Sequence, residues 1–445
     1  MDITDLTFDE RDEFKRKSIA EKAISLLHAE IDISPMVIDG SWGTGKTEFC
    51  HKLINLMQGN DTHHLIYIDA FKADHADEPL MTVLAEVIKV LPDENSKQSF
   101  IKKALPTVRY GLKTIAKAGV SHLLRQDIAD VADDFDKEIQ KTADKAIDAT
   151  VEAVLKDHVK ADKNLKALQA ALKEITAVKP IVLFIDELDR CRPNFAVDML
   201  EIIKHTFDVE GVKFVLITNT QQLKASINHC YGQSVDAQRY LDKFVKFTIT
   251  LPETVDTNAH RESIAAIEHY KNLVISSHVL EGLKLFECGS IRTIEKIIIA
   301  NRLSLREVET VVRHIEVYVT LAQSNNLQSN TVFGYKVLTI LAIAIYSIQP
   351  EVALSILQKR LDAKDIGNCL GISSLSNNIQ GRPDEQELIC YMLGYTALHN
   401  KEHFTPTEDV DVWKEESAQY FRGSYWRTDD FASICVEAIQ TLTMC

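Results

Sequence analysis

Eight residues, Gly40-Ser41-Trp42-Gly43-Thr44-Gly45-Lys46-Thr47, limit what this chain can fold into more than any other stretch. They match G-x-x-x-x-G-K-[ST] in full. Before them Met36-Val37-Ile38-Asp39 reads as a short buried strand, and after them Glu48 to Met57 reads as a helix. A glycine-rich turn in that context wraps backbone around a phosphate. Glycines permit close approach and turn several N–H groups inward. The helix N-terminus adds partial positive charge. In such a loop Lys46 reaches the β and γ oxygens of a nucleoside triphosphate, and the Thr47 hydroxyl ligates Mg²⁺. The segment from Gly40 to Thr47 is therefore expected to bind ATP and Mg²⁺.

The surrounding pattern is α/β. Residues 8–30 read as an amphipathic helix, ended by Ser34-Pro35. His64 to Ile68 reads as a strand that ends at Asp69-Ala70-Phe71, and Leu80 to Val90 as a helix. This β-α-β-α order is the signature of a parallel sheet with crossover helices. Residues 95–176 carry no strand signal. From Gln126 to Thr176 they are rich in Ala, Lys, Asp and Glu with apolar residues three and four apart, so they read as a long helical insertion, with a helical hairpin as one form it can take. The acidic run Asp127 to Glu138 lacks the glycine and spacing of a Ca²⁺ loop and reads as a solvated helix face.

The sheet pattern then resumes. Pro180 to Ile185 is a strand apolar on both faces. Val197 to Phe207 is a helix, Val212 to Ile217 a strand, and Gln221 to Cys230 a helix. Phe244 to Leu251 is the last strand, ending at Pro252. After Pro252 no strand is expected. The chain continues as helices broken near Gly289, Asn325–Asn326, Pro350 and Gly381–Pro383. Residues 1–255 are read as the core, 256–325 as a helical lid and 331–445 as an all-α C-terminal domain. No repeat of fixed period is visible.

A phosphate loop needs a carboxylate on a neighbouring strand. Val182-Leu183-Phe184-Ile185-Asp186-Glu187 supplies it. Asp186 is expected to hold Mg²⁺, and Glu187 to orient and deprotonate the attacking water. Two acids at a strand end also suit a helix N-cap or an ion pair with Arg190 or Arg192. The strand Val212 to Ile217 is expected between the other two. That brings Asn219 to the γ-phosphate as a polar sensor, although an asparagine there also suits a turn. Asp69 sits on the same edge or caps the next segment. Arg239 and Arg306 are candidates for completing charge stabilisation on the γ-phosphate; either also suits a surface ion pair.

Composition excludes some partners. With 50 basic and 65 acidic residues the net charge is −15, so the overall field does not steer the chain to nucleic acid or anionic membrane. A local basic patch remains compatible with that, so a nucleic-acid partner stays open. The eight cysteines form no C-x-x-C pair and read as free thiols of a reducing, cytoplasmic compartment. The N-terminus shows no secretory pattern. The most apolar run, Val337 to Ile348, is shorter than the ~20 residues of a membrane helix and reads as a buried core helix.

These residues resemble the KAP family of P-loop NTPases. The resemblance rests on Gly-Ser-Trp-Gly-Thr-Gly-Lys-Thr (40–47), Phe-Ile-Asp-Glu-Leu-Asp-Arg-Cys-Arg-Pro (184–193) and Arg-Tyr-Leu-Asp-Lys-Phe (239–244). It implies an ASCE-type P-loop fold, with the catalytic acid on a strand other than the loop's own. It also implies an insertion between the two motifs. In many relatives that insertion carries membrane helices; here it is too charged, so no membrane attachment is expected. Family members usually have Asp-Asp-Leu-Asp-Arg where this chain has Asp186-Glu187-Leu188-Asp189-Arg190, which leaves both Glu187 and Asp189 open as the base. Soluble bacterial members often belong to anti-phage defence operons.

The leading reading is an ATPase switch acting as a homo-oligomer or with an operon-encoded partner. A nucleotide-gated scaffold with negligible turnover is the alternative. A nucleotide kinase would call for an arginine-rich acceptor lid, which the sequence does not offer.

Overall fold

The computed structural model describes residues 6–10, 12, 14–76, 78–115, 151–256, 262–283, 285–286, 290–322, 326–376, 382–394, 396–421 and 431–444. Two compact units emerge. The first contains residues 1–12 and 16–252, and the second residues 13–15 and 253–445.

Unit 1 begins with α1 (Lys17–His28), β1 (Met36–Asp39), α2 (Lys46–Gln58), β2 (His64–Asp69), the short α3 (Ala70–Ala73) and α4 (Pro79–Lys89). The insertion supplies α5 (Glu94–Ile115) and α6 (Val151–Thr176). Then come β3 (Ile181–Asp186), α7 (Pro193–His205), β4 (Val212–Thr218), α8 (Thr220–Tyr231), α9 (Ala237–Leu241) and β5 (Phe247–Thr250). The five strands are parallel in the order β2-β3-β4-β1-β5. β4 therefore stands between the strand before the loop and the strand that ends in Asp186, as the sequence led us to expect.

Side-chain alternation divides the sheet into two cores. Met36, Ile38, Val182, Phe184, Val215 and Ile217 face one way, packing with α1 and α2. Val37, Leu183, Ile185, Phe214 and Leu216 face the other, where α4, α7 and α8 cover them. All six residues of β3 are buried, which explains why that run is continuously apolar. α2 shows the helical counterpart: Phe49, Cys50, Leu53, Ile54 and Met57 are buried on one face.

The insertion leaves this second core as an antiparallel helix pair. Asn164 Nδ2 donates to the Pro106 carbonyl at 3.4 Å, and Lys103 pairs with Glu174 at 2.6 Å. Phe100, Ala104, Leu168, Ala171 and Leu172 seal the base of the pair. The acidic run Asp127 to Glu138 lies outside the described residues.

Unit 2 opens with a correction. Thr254–Asp256 (β6) and Glu262–Ile264 (β7) form an antiparallel pair where no strand was expected. Three-residue strands are too short for alternation to be read. Helices follow: α10 (Ala265–Ser276), α11 (Ser290–Asn301), α12 (Leu305–Leu321), α13 (Phe333–Ile348), α14 (Pro350–Leu357), α15 (Ala363–Leu370), α16 (Glu385–Gly394), α17 (Val410–Tyr420) and α18 (Phe431–Thr443). Pro350 opens α14, and the described residues 326–332 and 382–384 lie between helices at the breaks expected at Asn325–Asn326 and Gly381–Pro383, while Gly289 lies outside the described residues. One hydrophobic core runs from Ala266 to Leu442, so the segments read as a lid and as a separate domain share it. α13 is its axis: Val337 to Ile345 are all fully buried. Gly334 lets Phe421 close on this helix, since a Cβ there would lie 2.6 Å from the ring's Cε1.

Candidate functional site

The phosphate loop spans the end of β1 and the start of α2. Gly43 and Gly45 take φ of 77° and 79°, a conformation that favours glycine. At Gly40 a Cβ would sit 2.7 Å from Thr44 Oγ1, so the turn leaves no room for a side chain there. Lys46 Nζ turns onto the loop itself, donating to the Gly40 carbonyl at 2.7 Å and the Ser41 carbonyl at 3.0 Å. Burial lowers the Lys46 pKa, while the carboxylates of Asp189, Asp186 and Asp39 favour its charged form. Arg16, itself buried, braces the loop from outside through its Nη1, which donates to the Thr44 carbonyl at 2.7 Å.

Asp186 ends β3 in register with Asp69 on β2. Its Oδ1 accepts the Glu187 N–H at 2.8 Å and its Oδ2 the Tyr67 hydroxyl at 3.2 Å. The Thr47 hydroxyl also bonds it. Burial pushes the Asp186 carboxyl up to about 6, against these hydrogen bonds. Tyr67, whose ring lies 4.5 Å from that of His51, has its phenol pKa raised by burial and then by Asp186. Thr47 and Asp186, which the sequence reading paired for Mg²⁺, are thus in contact. A hydroxyl and a carboxylate are hard oxygen donors suited to Mg²⁺. Among the described residues no three His, Cys, Asp or Glu side chains cluster for a metal. A Mg²⁺ site completed by nucleotide phosphates does not need such a set.

Glu187 follows at φ 58° and ψ 25°, left-handed for a residue with a side chain. Its Oε1 pairs with Arg190 Nη1 at 2.9 Å. The single 3₁₀ turn Leu188–Arg190 then presents Asp189, which accepts the Trp42 indole N–H at 2.6 Å and the Thr218 hydroxyl at 3.1 Å. Arg192 closes the motif by binding Asp74: its N–H donates to Oδ2 at 2.9 Å and its Nε to Oδ1 at 3.1 Å.

Asn219 follows β4 and caps α8, its Oδ1 accepting from Gln221 and Gln222 N–H at 3.0 and 3.4 Å. That matches the turn-forming alternative and leaves the amide nitrogen as the group able to donate to a ligand. Asp39 Oδ1 accepts the Thr220 N–H at 2.9 Å, tying the same helix start to the loop strand. Asp69 caps α3 through the Lys72 N–H at 2.9 Å.

Arg239 is a surface residue paired with Asp236 at 3.2 Å. Arg306 belongs to unit 2, in the first turn of α12. The arginine beside Glu187 is Arg190, whose charge also reaches Lys46. Tyr67, Arg16 and Asp39 were not singled out from sequence. A tyrosine in an apolar strand, an arginine before a helix and an acid before a glycine each have common structural explanations.

Cys50, Cys191, Cys230, Cys369, Cys390 and Cys435 are free thiols, five of them buried. Among the described residues no helix is long and apolar enough to cross a membrane. No curated protein sequence matches the chain. The family model of the KAP family P-loop domain matches residues 16–321, from the start of α1 to the end of α12. That span contains the loop, both acids, the insertion and the asparagine, and extends past the sheet into the helices that follow. With more than half its length matched, and with a five-stranded parallel sheet carrying a phosphate loop, the chain belongs to the KAP family of P-loop domains, a membership that points to nucleotide binding.

Proposed function

We propose that the chain binds ATP with Mg²⁺ and hydrolyses it, using the cycle as a conformational switch. The observation that carries this reading is the convergence of Lys46, Thr47, Asp186 and Glu187 at one edge of the sheet. The loop from Gly40 to Thr47 would cradle the phosphates. Lys46 would exchange its two loop carbonyls for the β and γ oxygens, a better partner for an ammonium. Thr47 and Asp186 would hold Mg²⁺, which when bound offsets phosphate charge. Glu187 would take the proton of the attacking water, after its carboxylate parts from Arg190. The Asn219 amide N–H group would donate to the γ-phosphate or to that water. Arg306, Arg239 or an arginine from a second chain would complete the charge stabilisation.

The helices that follow the sheet, which share one core, would respond to the cycle together and engage a second copy or another protein. Anti-phage defence rests on the family resemblance alone; a plaque assay with wild type and Lys46→Ala tests it. A scaffold with negligible turnover is the second reading, and the Glu187–Arg190 ion pair favours it by occupying the base.

Phosphate release from ATP, with and without Mg²⁺, separates the two. Turnover by wild type is expected, with loss of ATP binding in Lys46→Ala and binding without hydrolysis in Glu187→Gln. Wild type that binds ATP but releases phosphate no faster than Glu187→Gln would leave the scaffold reading standing.

A further inference from the structure

Asp189 lies between two donors from different parts of the site. Its Oδ2 accepts the Trp42 indole N–H at 2.6 Å, and its Oδ1 the Thr218 hydroxyl at 3.1 Å. Trp42 is the third residue of the phosphate loop, and Thr218 is the last residue of β4. Thr218 is fully buried and Asp189 only 8% exposed. Trp42, in contrast, leaves 49% of its surface open.

That contrast is informative. A ring half in water is held by packing on one side only, so burial alone does not set its direction. A short bond from its one polar atom to a carboxylate does, because charge-assisted hydrogen bonds are the strong ones. The same carboxylate leads those that favour the Lys46 ammonium. With an oxygen engaged on each side, Asp189 is held between the loop and the strand, and the reading above assigns the proton of the water to Glu187.

We propose that Asp189 is a positioning residue that latches the phosphate loop, through Trp42, to the end of β4, through Thr218, and so keeps the loop in its ligand-ready shape. This rests on the nucleotide reading above. In this proposal the latch holds the loop in the ground state and in the transition state equally. Its loss therefore weakens ground state and transition state alike, raising KM while kcat changes little.

Two readouts test it. The first needs no nucleotide: acrylamide quenching of Trp42, taken as the difference between each protein and its Trp42→Phe counterpart. Asp189→Ala is expected to raise Trp42 quenching, by up to about twofold since the ring is already 49% exposed, with Asp189→Asn between it and wild type, because a carboxamide oxygen still accepts one bond. The second is ATP affinity and turnover. Asp189→Ala and Trp42→Phe are each expected to raise Kd and KM about tenfold, the scale of one lost charge-assisted bond. The double variant should be no weaker than the single ones. Should Asp189→Ala fail to fold, Asp189→Asn carries both readouts.

A fall in kcat of a hundredfold or more at constant KM would make Asp189 the base and overturn the latch. Additive effects, or unaltered quenching while wild type binds ATP normally, would also overturn it. Wild type that binds no ATP, like Lys46→Ala, overturns the nucleotide reading, and the ligand-ready role of the latch with it. Quenching alone then shows whether the Trp42–Asp189 bond exists.

Discussion

Tyr67 and Asp186 stand 119 positions apart yet share a hydrogen bond of 3.2 Å. Donors behind a metal-binding carboxylate orient it, and their loss commonly costs 10–100-fold in metal affinity. Tyr67→Phe keeps the ring against His51 and removes only the hydroxyl. The Mg²⁺ concentration for half-maximal phosphate release is expected to rise about tenfold, with turnover at saturating Mg²⁺ nearly unchanged. An unchanged Mg²⁺ titration would mean that Tyr67 only fills space. Glu187 offers a second test, because its φ of 58° lies in the left-handed region, which favours glycine over a residue with a glutamate side chain. Glu187→Gly should therefore raise thermal stability, by about 1 kcal/mol, while abolishing turnover. A lower melting temperature would show that the pair with Arg190 outweighs the strain. The sequence marked Glu187 through its place beside Asp186. Its backbone conformation, and Tyr67, were not legible. A positive φ depends on how the β3–α7 connection is closed, and the Tyr67 contact on strand pairing.

Among the elements, the insertion stem shows where stability resides. Leu168 and Leu172 on α6 are fully buried, whereas Lys103 and Glu174 keep 38% and 68% of their side chains exposed. Leu172→Ala is expected to cost about 2–5 kcal/mol through lost burial and a residual cavity. Lys103→Ala should stay within about 0.5 kcal/mol, since exposed ion pairs contribute little. Chemical denaturation of both variants checks the ranking, and equal losses would refute it. The helical character of this stretch was legible from its spacing. A helical hairpin was among the readings, but which residues meet across it was not legible, because many helices carry the same stripe. β6 and β7 illustrate the converse, elements too short to leave a pattern.

The whole molecule divides into two units with separate cores, and the candidate loop lies in the first. A ligand stabilises the unit that binds it, by about 2.7 kcal/mol at a hundredfold excess over Kd. Scanning calorimetry is expected to resolve two transitions, with only one rising on addition of Mg²⁺ and ATP. A single transition that shifts as a whole would mean that the units unfold together. Phe14, from the short segment 13–15, packs in the second unit with its ring 5.8 Å from His269. An N-terminal truncation that removes it should therefore lower the transition that nucleotide does not move.

By itself the sequence determined the phosphate loop and its local frame. The loop from Gly40 to Thr47, the acids at the end of the β3 run and the alternation of apolar segments are short-range patterns, dictated by backbone sterics and burial. They sufficed for a parallel sheet with β4 between β1 and β3. Only the tertiary structure decided which of the nearby polar groups meet. It put Trp42 on Asp189 across 147 positions, Arg16 on the loop, Arg190 on Glu187 and the Asn219 oxygen on the start of α8. Hydrogen bonds demand positions correct to a few tenths of an ångström, and that accuracy arises only when strands, helices and cores close on one another.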